Sequence, residues 1–163
     1  MPKKNNAELK ADRERAIFDQ FSKVAKLLVD PGSIQSDVPP NADIRCKVGG
    51  KPLFCEMAEI SDESVAASVA ESLKTGAATG GAFSQDEPLQ KVFADKSLNQ
   101  YAVKGADLHL LAYYDKQYPL DYDPTFIPDT IGETAKHMVG SGKWQKIWVY
   151  DTWEKRILWS WPP

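Results

Sequence analysis

The sequence predicts a mixed α/β fold, in which a mixed β-sheet is flanked by helices. Three features predict it: an amphipathic helix near the N-terminus, two hairpins of alternating apolar residues, and an apolar strand between helical segments. The 163 residues match the usual size of one compact domain, and 42% of them are hydrophobic. We therefore expect a single domain over residues 1–163, with a helix at about 7–29 and the sheet and further helices at 42–163.

The first helix is predicted from apolar residues that recur at spacings of three and four, which places them on one helical face. We expect it to run from about Ala7 to Val29. The sequence Asp-Pro-Gly at 30–32 then ends it, because proline cannot continue a helix, and a loop should follow to about residue 41. The apolar positions are Ile17, Phe18, Phe21, Val24, Ala25 and Leu28.

A β-hairpin is predicted next, because Ile44, Cys46 and Val48 alternate with polar residues and lead into a Gly49–Gly50 turn. Its second arm, Leu53–Ile60, is apolar on both faces, which is typical of a central strand.

The rest of the chain predicts helices alternating with strands. One helix follows Ser61, and a second runs from a capping box at Ser84 to about Asn99. A buried strand is expected at 108–114 and a short helix at 131–139. The final twenty residues alternate as a terminal hairpin around a turn at 153–155.

Composition excludes some classes of function. The net charge of −3 argues against a protein that coats nucleic acid by broad electrostatics, although it does not exclude a nuclease with an acidic centre. No apolar run approaches the roughly 20 residues that cross a bilayer, and the N-terminus lacks a signal peptide. We therefore expect a cytoplasmic protein without membrane association, in which Cys46 and Cys55 are buried thiols.

Several familiar kinds of site are disfavoured. His109 and His137 lack zinc-binding spacing, and His109 is expected to be a hydrogen-bonded core residue. The glycine-rich segment 75–81 follows a helix and lacks the lysine of a phosphate-binding loop. A G-x-S-x-G nucleophile motif is also missing from the sequence.

Three acidic residues stand where burial is otherwise expected. Glu14 lies on the apolar face of the first helix, Asp43 opens the first hairpin strand, and Glu56 lies on the second. Glu14 has a simpler interpretation, in which the first helical turns overhang the core and leave it solvated. Together the three carboxylates predict an oxygen-rich site for Mg or Mn that could activate water.

At these residues the sequence resembles the PD-(D/E)xK nuclease superfamily over about Ala7 to Tyr114. Ala42-Asp43 stands at the PD dipeptide, and Glu56-Met57-Ala58 stands at (D/E)xK. The resemblance implies a restriction-endonuclease-like core and metal-dependent cleavage of phosphodiesters. The sequence departs from the motif at Ala42, which replaces the proline, and at Ala58, which replaces the catalytic lysine.

The missing lysine has two candidate replacements, because some members of the superfamily supply the cation from the helix after this strand. Lys74 and Lys96 are the candidates, and the implied catalytic set is Asp43, Glu56 and Lys96. A solvated surface lysine is the simpler interpretation of each. Tyr101 would lie beside the site or serve only in packing.

All five tryptophans fall in the last twenty residues. Trp148 and Trp159 are expected in the core, whereas Trp153 and Trp161 are candidates for a partner surface.

Two functions remain open on the sequence. One is a nuclease-like domain that acts on nucleic acid with bound Mg or Mn. The other is a non-catalytic inhibitor, immunity or adaptor protein with a protein partner, favoured by the missing lysine. A homodimer is compatible with either function.

Overall fold

The computed structural model describes residues 2–60, 87–103, 105–115 and 129–163. Its elements are α1 (Asn6–Val24), β1 (Gln35–Ser36), β2 (Ile44–Val48), β3 (Lys51–Glu59), α2 (Glu87–Ser97), β4 (Asp107–Tyr114), α3 (Asp129–Gly140), β5 (Lys146–Asp151) and β6 (Arg156–Trp161). The strands form one six-stranded sheet in chain order. β4 lies parallel to both β3 and β5, and the other neighbours are antiparallel. The predicted mixed sheet flanked by helices is therefore confirmed.

The sheet carries a separate hydrophobic core on each face. Helix α1 covers one face, and helices α2 and α3 cover the other. Alternate residues of β3 point into different cores, so Cys55 and Met57 pack with α1 while Ala58 packs with α2 and α3. This burial on both sides explains why β3 is apolar at consecutive positions, as the sequence predicts for a central strand.

Helix α1 ends earlier than its apolar pattern predicts. It stops at Val24 rather than Val29, because Lys26 adopts a left-handed backbone conformation with φ 56°. Leu28 is 81% exposed, so the prediction that it joins the buried helical face is wrong. Val29 has already left the helix and forms a β-bridge with Val48.

The left-handed backbone conformation of Lys26 leads to a testable prediction about stability. The N–H of Leu27 donates to the carbonyl of Ser22 at 2.9 Å, and the N–H of Lys26 donates to that of Lys23 at 3.2 Å. These two bonds form a Schellman motif, in which glycine is favoured at the left-handed position. We expect Lys26→Gly to raise the free energy of unfolding by about 0.5–1 kcal/mol in urea titrations. Lys23→Gly, inside the last helical turn, should lower the free energy of unfolding by about 1 kcal/mol. If both variants change this free energy in the same direction, the explanation is refuted.

Most of the other predicted elements are confirmed where the structure describes them. The first hairpin, the strand at 108–114, the helix at 131–139 and the terminal hairpin are all present. The predicted loop before residue 41 was wrong in one respect, because it contains β1, which pairs with β2. Two residues are too few to give a strand pattern in sequence. The helix after Ser61, the capping box at Ser84, the segment 75–81 and the loop at 118–128 lie outside the described residues.

Buried tryptophans occur in both cores. Trp148 packs against Phe21 of α1 at a centroid distance of 5.1 Å, whereas Trp144 lies in the core under α2 and α3. Trp159 is only partly buried against that second core, so its predicted core position holds in part. Trp148 donates through Nε1 to Nδ1 of His109 at 3.2 Å, and burial lowers the pKa of His109 to about 4. The predicted hydrogen bond of His109 is confirmed, although the residue is half-buried and belongs to neither core.

Both cysteines, Cys46 and Cys55, are buried and free, as the sequence predicts. Within the described residues, no helix combines the length and the apolar character needed to cross a membrane.

Candidate functional site

Of the three predicted acidic residues, Glu14 lines a cleft at one end of the β2–β3 pair, and Glu56 is paired with Lys96, another residue of its lining. The register of β2 against β3 runs as far as Ile44 opposite Cys55, and β3 continues to Glu59. Beside this continuation is a cleft of about 320 Å³ between α1 and α2. Its lining includes Lys10, Glu14, Ala58, Lys91, Lys96 and Tyr113.

Asp43 joins the start of β2 to the continuing part of β3. Its Oδ2 accepts a hydrogen bond of 2.9 Å from the N–H of Met57, and its own N–H donates to Oε2 of Glu56 at 3.2 Å. The Asp43 side chain thus extends the strand pairing beyond the last residue of β2. This places the two hairpin acids in direct contact.

Glu56 is paired with the lysine from α2. Nζ of Lys96 lies 2.6 Å from Oε1 of Glu56, and their side chains are only 23% and 8% exposed. Ala58 is buried on the same face of β3 as Glu56, two residues further along. Lys96 therefore brings an ammonium group to the face of the strand on which the motif would carry its lysine. The other candidate, Lys74, lies outside the described residues.

Glu14 is buried, with 5% of its surface exposed. The interpretation that it is solvated on an overhanging first turn is wrong, because α1 already covers the sheet at this position. Burial and the charges of Asp43 and Glu56, opposed by Lys10, together raise the pKa of Glu14 to about 7. Nζ of Lys10 lies 3.6 Å from the Glu14 carboxylate. Sequence alone offered one signal for Lys10, its position four residues before Glu14 on the same helix face.

The pKa of Glu56 is shifted by the same two causes, burial and neighbouring negative charge. Burial and the charge of Asp43 raise the pKa of Glu56, while its bond to Lys96 lowers it. Glu14, Asp43 and Glu56 are thus coupled through their charges. Among the residues that the structure describes, however, no three His, Cys, Asp or Glu side chains form a group that could hold a metal ion.

Tyr101 lies beside the acids and also has a packing role. Its hydroxyl accepts a bond of 3.3 Å from Nδ2 of Asn99 and interacts electrostatically with Glu56. Burial raises the pKa of Tyr101 above its ordinary value, and the Glu56 charge adds to the rise. Its ring packs edge-on against Trp144 at 5.4 Å. Tyr101 therefore lies beside the candidate site and also packs in the core, so the two interpretations are compatible.

Glu59 points away from Glu56, as the alternation of a regular strand predicts. Its Oε2 lies 2.6 Å from Nη2 of Arg13 on α1, and Nε of Arg13 lies 3.1 Å from Oδ2 of Asp115. Glu59 thus belongs to an ion-pair network on the other face of the sheet.

The two tryptophans proposed for a partner surface differ in their environments. Trp153 is 67% exposed in the turn between β5 and β6. Trp161 is partly buried against the core under α2 and α3, and Nζ of Lys136 lies 5.1 Å from its ring centroid.

Comparisons of this chain with family models, with curated proteins and with solved structures found no match. The resemblance to PD-(D/E)xK nucleases therefore depends on the motif residues themselves and on the contacts between Asp43, Glu56 and Lys96.

Proposed function

We propose that the protein is a divalent-metal-dependent nuclease, in which a lysine from α2 replaces the lysine missing from the motif. The observation that carries the proposal is the contact between Lys96 and Glu56. The Lys96 ammonium group lies 2.6 Å from the carboxylate of Glu56, and the same carboxylate accepts a hydrogen bond from Asp43. An acid pair on a hairpin with an adjacent lysine is the set that the motif combines.

The chemistry of the acids suits Mg or Mn, because both metals prefer carboxylate oxygen ligands. Glu14, Asp43 and Glu56 would hold the ion only after a rearrangement, because as they stand these residues do not form a group that could hold a metal ion. Their mutual repulsion helps to raise the pKa values of Glu14 and Glu56, and a divalent cation would relieve that repulsion. When bound, such an ion supplies positive charge for activating water and for stabilising a phosphodiester transition state.

The side chains around the acids supply the remaining functions. Lys96 would donate hydrogen bonds to negative charge that develops on a phosphate oxygen. Lys10 and Lys91 also line the cleft, and each carries a positive charge suited to a phosphate backbone. The cleft is also lined by the acidic residues Glu14, Glu59 and Asp95, so the lysines would bind phosphate groups beside a site rich in carboxylates.

Metal binding is the first test of this proposal. We expect Mg or Mn to raise the melting temperature of the wild-type protein, since a ligand that binds only the folded state stabilises it. Asp43→Asn and Glu56→Gln should each abolish this rise. Glu133→Gln is a matched control, because Glu133 is an exposed residue of α3 that pairs with Lys136 at 3.1 Å.

Cleavage is the second test, with single-stranded and double-stranded DNA and RNA as substrates in the presence of Mg or Mn. We expect cleavage by the wild type and by Glu133→Gln, and loss of cleavage in Asp43→Asn, Glu56→Gln and Lys96→Met. A wild-type protein that neither gains stability from metal nor cleaves any of these substrates would overturn the proposal.

The alternative function, a non-catalytic binding protein, is favoured by one observation. Asp43 and Glu56 both have partners within the chain, because Met57 bonds to the first and Lys96 to the second. Acids satisfied in this way can serve the fold alone. Melting temperatures that metal leaves unchanged, together with a lower melting temperature of Asp43→Asn in metal-free buffer, would favour this second function.

A further inference from the structure

The C-terminal end of α2 is bound by a lysine from a distant loop. The last carbonyl groups of any helix lack partners within the helix and carry partial negative charge. Nζ of Lys143 donates to the carbonyl of Ser97 at 3.1 Å, to that of Lys96 at 3.5 Å, and to that of Asn99. One ammonium group therefore caps the last turn of α2 and the residues that follow it.

The loop that carries Lys143 is itself fixed to the sheet. Trp144, the next residue, is buried in the core under α2 and α3. The N–H of Gln145 donates to the carbonyl of Leu108 at 2.9 Å, and Oε1 of Gln145 accepts a hydrogen bond from the N–H of Leu108. These contacts hold the Lys143 backbone against β4, so its side chain connects α2 to the sheet.

Two aromatic rings hold the Lys143 ammonium group from its other side. It lies 5.1 Å from the ring centroid of Tyr101 and 5.4 Å from that of Trp144, within the range of cation–π attraction. Tyr101 is the residue whose pKa is raised in part by the nearby charge of Glu56. Burial lowers the pKa of Lys143, and the charge of Glu56 opposes that shift. Lys143 thus contacts two of the residues around the Glu56 carboxylate, through the main chain of Lys96 and the ring of Tyr101.

We infer that Lys143 is a positioning residue, which fixes the end of α2 so that Lys96 and Tyr101 are held against Glu56. It acts through those two residues, because its hydrogen bonds within the described part of the chain go to main-chain carbonyl groups and not to Glu56. Its importance for catalysis rests on the proposed nuclease function. The placement of Lys96, however, is a property of the protein without metal or substrate and can be measured separately.

The test compares the amine reactivity of individual lysines in Lys143→Met, Lys143→Arg and wild type. Folded protein is treated briefly with an acetylating reagent, and each lysine is quantified by peptide mass spectrometry. In Lys143→Met we expect Lys96 to react about fivefold faster, because the last turn of α2 is released. Lys91, earlier in the same helix, should react at its wild-type rate. Arginine also donates to carbonyl groups and stacks on aromatic rings, so Lys143→Arg should restore most of the protection.

Lys136→Met is the matched control, because Lys136 also lies over a tryptophan ring but belongs to α3. It should leave the reactivity of Lys96 unchanged. The inference is overturned if Lys96 reacts at the wild-type rate in Lys143→Met. It is also overturned if Lys91 and Lys96 become reactive together, which would show general loosening of α2.

The same variants separate this inference from the proposed function. If the wild type cleaves nucleic acid, Lys143→Met should lower kcat with little change in KM, and Lys143→Arg should recover it. If the wild type cleaves nothing, the nuclease proposal fails, but the acetylation rates still decide whether Lys143 positions Lys96.

Discussion

Replacement of Lys96 by methionine is expected to lower the free energy of unfolding by about 2–3 kcal/mol in metal-free buffer at neutral pH. Removing one partner of a buried ion pair leaves the other charge without compensation, and this usually costs more than the pair contributed. Here the remaining charge is Glu56, which is buried and lies in contact with Asp43. We expect a smaller loss than for a fully buried ion pair, because the Lys96 side chain is 23% exposed. Urea denaturation followed by circular dichroism measures it.

A second variant tests the cause of that loss. In Lys96→Met with Glu56→Gln, the uncompensated charge is gone, so we expect most of the stability to return. Lys91→Met, a change of the same type in the same helix, should alter stability by less than about 0.5 kcal/mol. A Lys96→Met protein as stable as the wild type would show that the ion pair contributes nothing to folding.

Glu14→Gln is expected to stabilise the protein in alkaline solution by about 2 kcal/mol and to have little effect near pH 4. The folded protein raises the pKa of Glu14 from 4.5 to about 7, so between these values the folded state binds more protons than the unfolded state. Stability attributable to Glu14 therefore falls as pH rises through this window and stays low above it. Glutamine resembles the neutral carboxyl group and does not ionise, so the variant escapes this loss. Thermal melts at half-unit pH steps give the difference curve.

The shape of the curve distinguishes this explanation from a general packing effect. The difference between variant and wild type should grow from about pH 4.5 to pH 7 and then become constant. Glu133→Gln should show no such step, since that carboxylate is exposed. A difference for Glu14→Gln that is equal at every pH would contradict the assigned cause. If the proposed function is correct, Mg should also reduce the difference in stability between Glu14→Gln and the wild type above pH 7, because a cation relieves the same repulsion.

Much of the sheet could be predicted because its apolar patterns are local. β2 alternates over five residues before a glycine turn, and β4 is a continuous apolar run, so both follow from a short window of sequence. The end of α1 could not be predicted in this way. The apolar spacing continues past Val24, whereas the backbone conformation of Lys26 ends the helix, and lysine is not a residue that signals this turn.

Some residues of the candidate site could likewise be predicted from the sequence, and others could not. Asp43 and Glu56 could be predicted as neighbours because the Gly49–Gly50 turn fixes the register between their strands. The choice of Lys96 depends on how α2 packs against β3, which no local pattern encodes. Lys143 was not predicted at all, since a lysine that binds carbonyl groups of a distant helix has no signature in composition or spacing. Glu14 was placed on the correct helix face, but its burial depends on the sheet beneath it.

The buried tryptophans give each face of the sheet its own optical reporter. Trp148 lies in contact with α1, and Trp144 lies under α2 beside Tyr101. Proteins that retain only one of these indoles, with phenylalanine at the other four tryptophan positions, would emit fluorescence from one core alone. Emission maxima that shift at different denaturant concentrations would reveal that the two faces open in separate steps. Coincident shifts would identify the sheet and both helical layers as one cooperative unit.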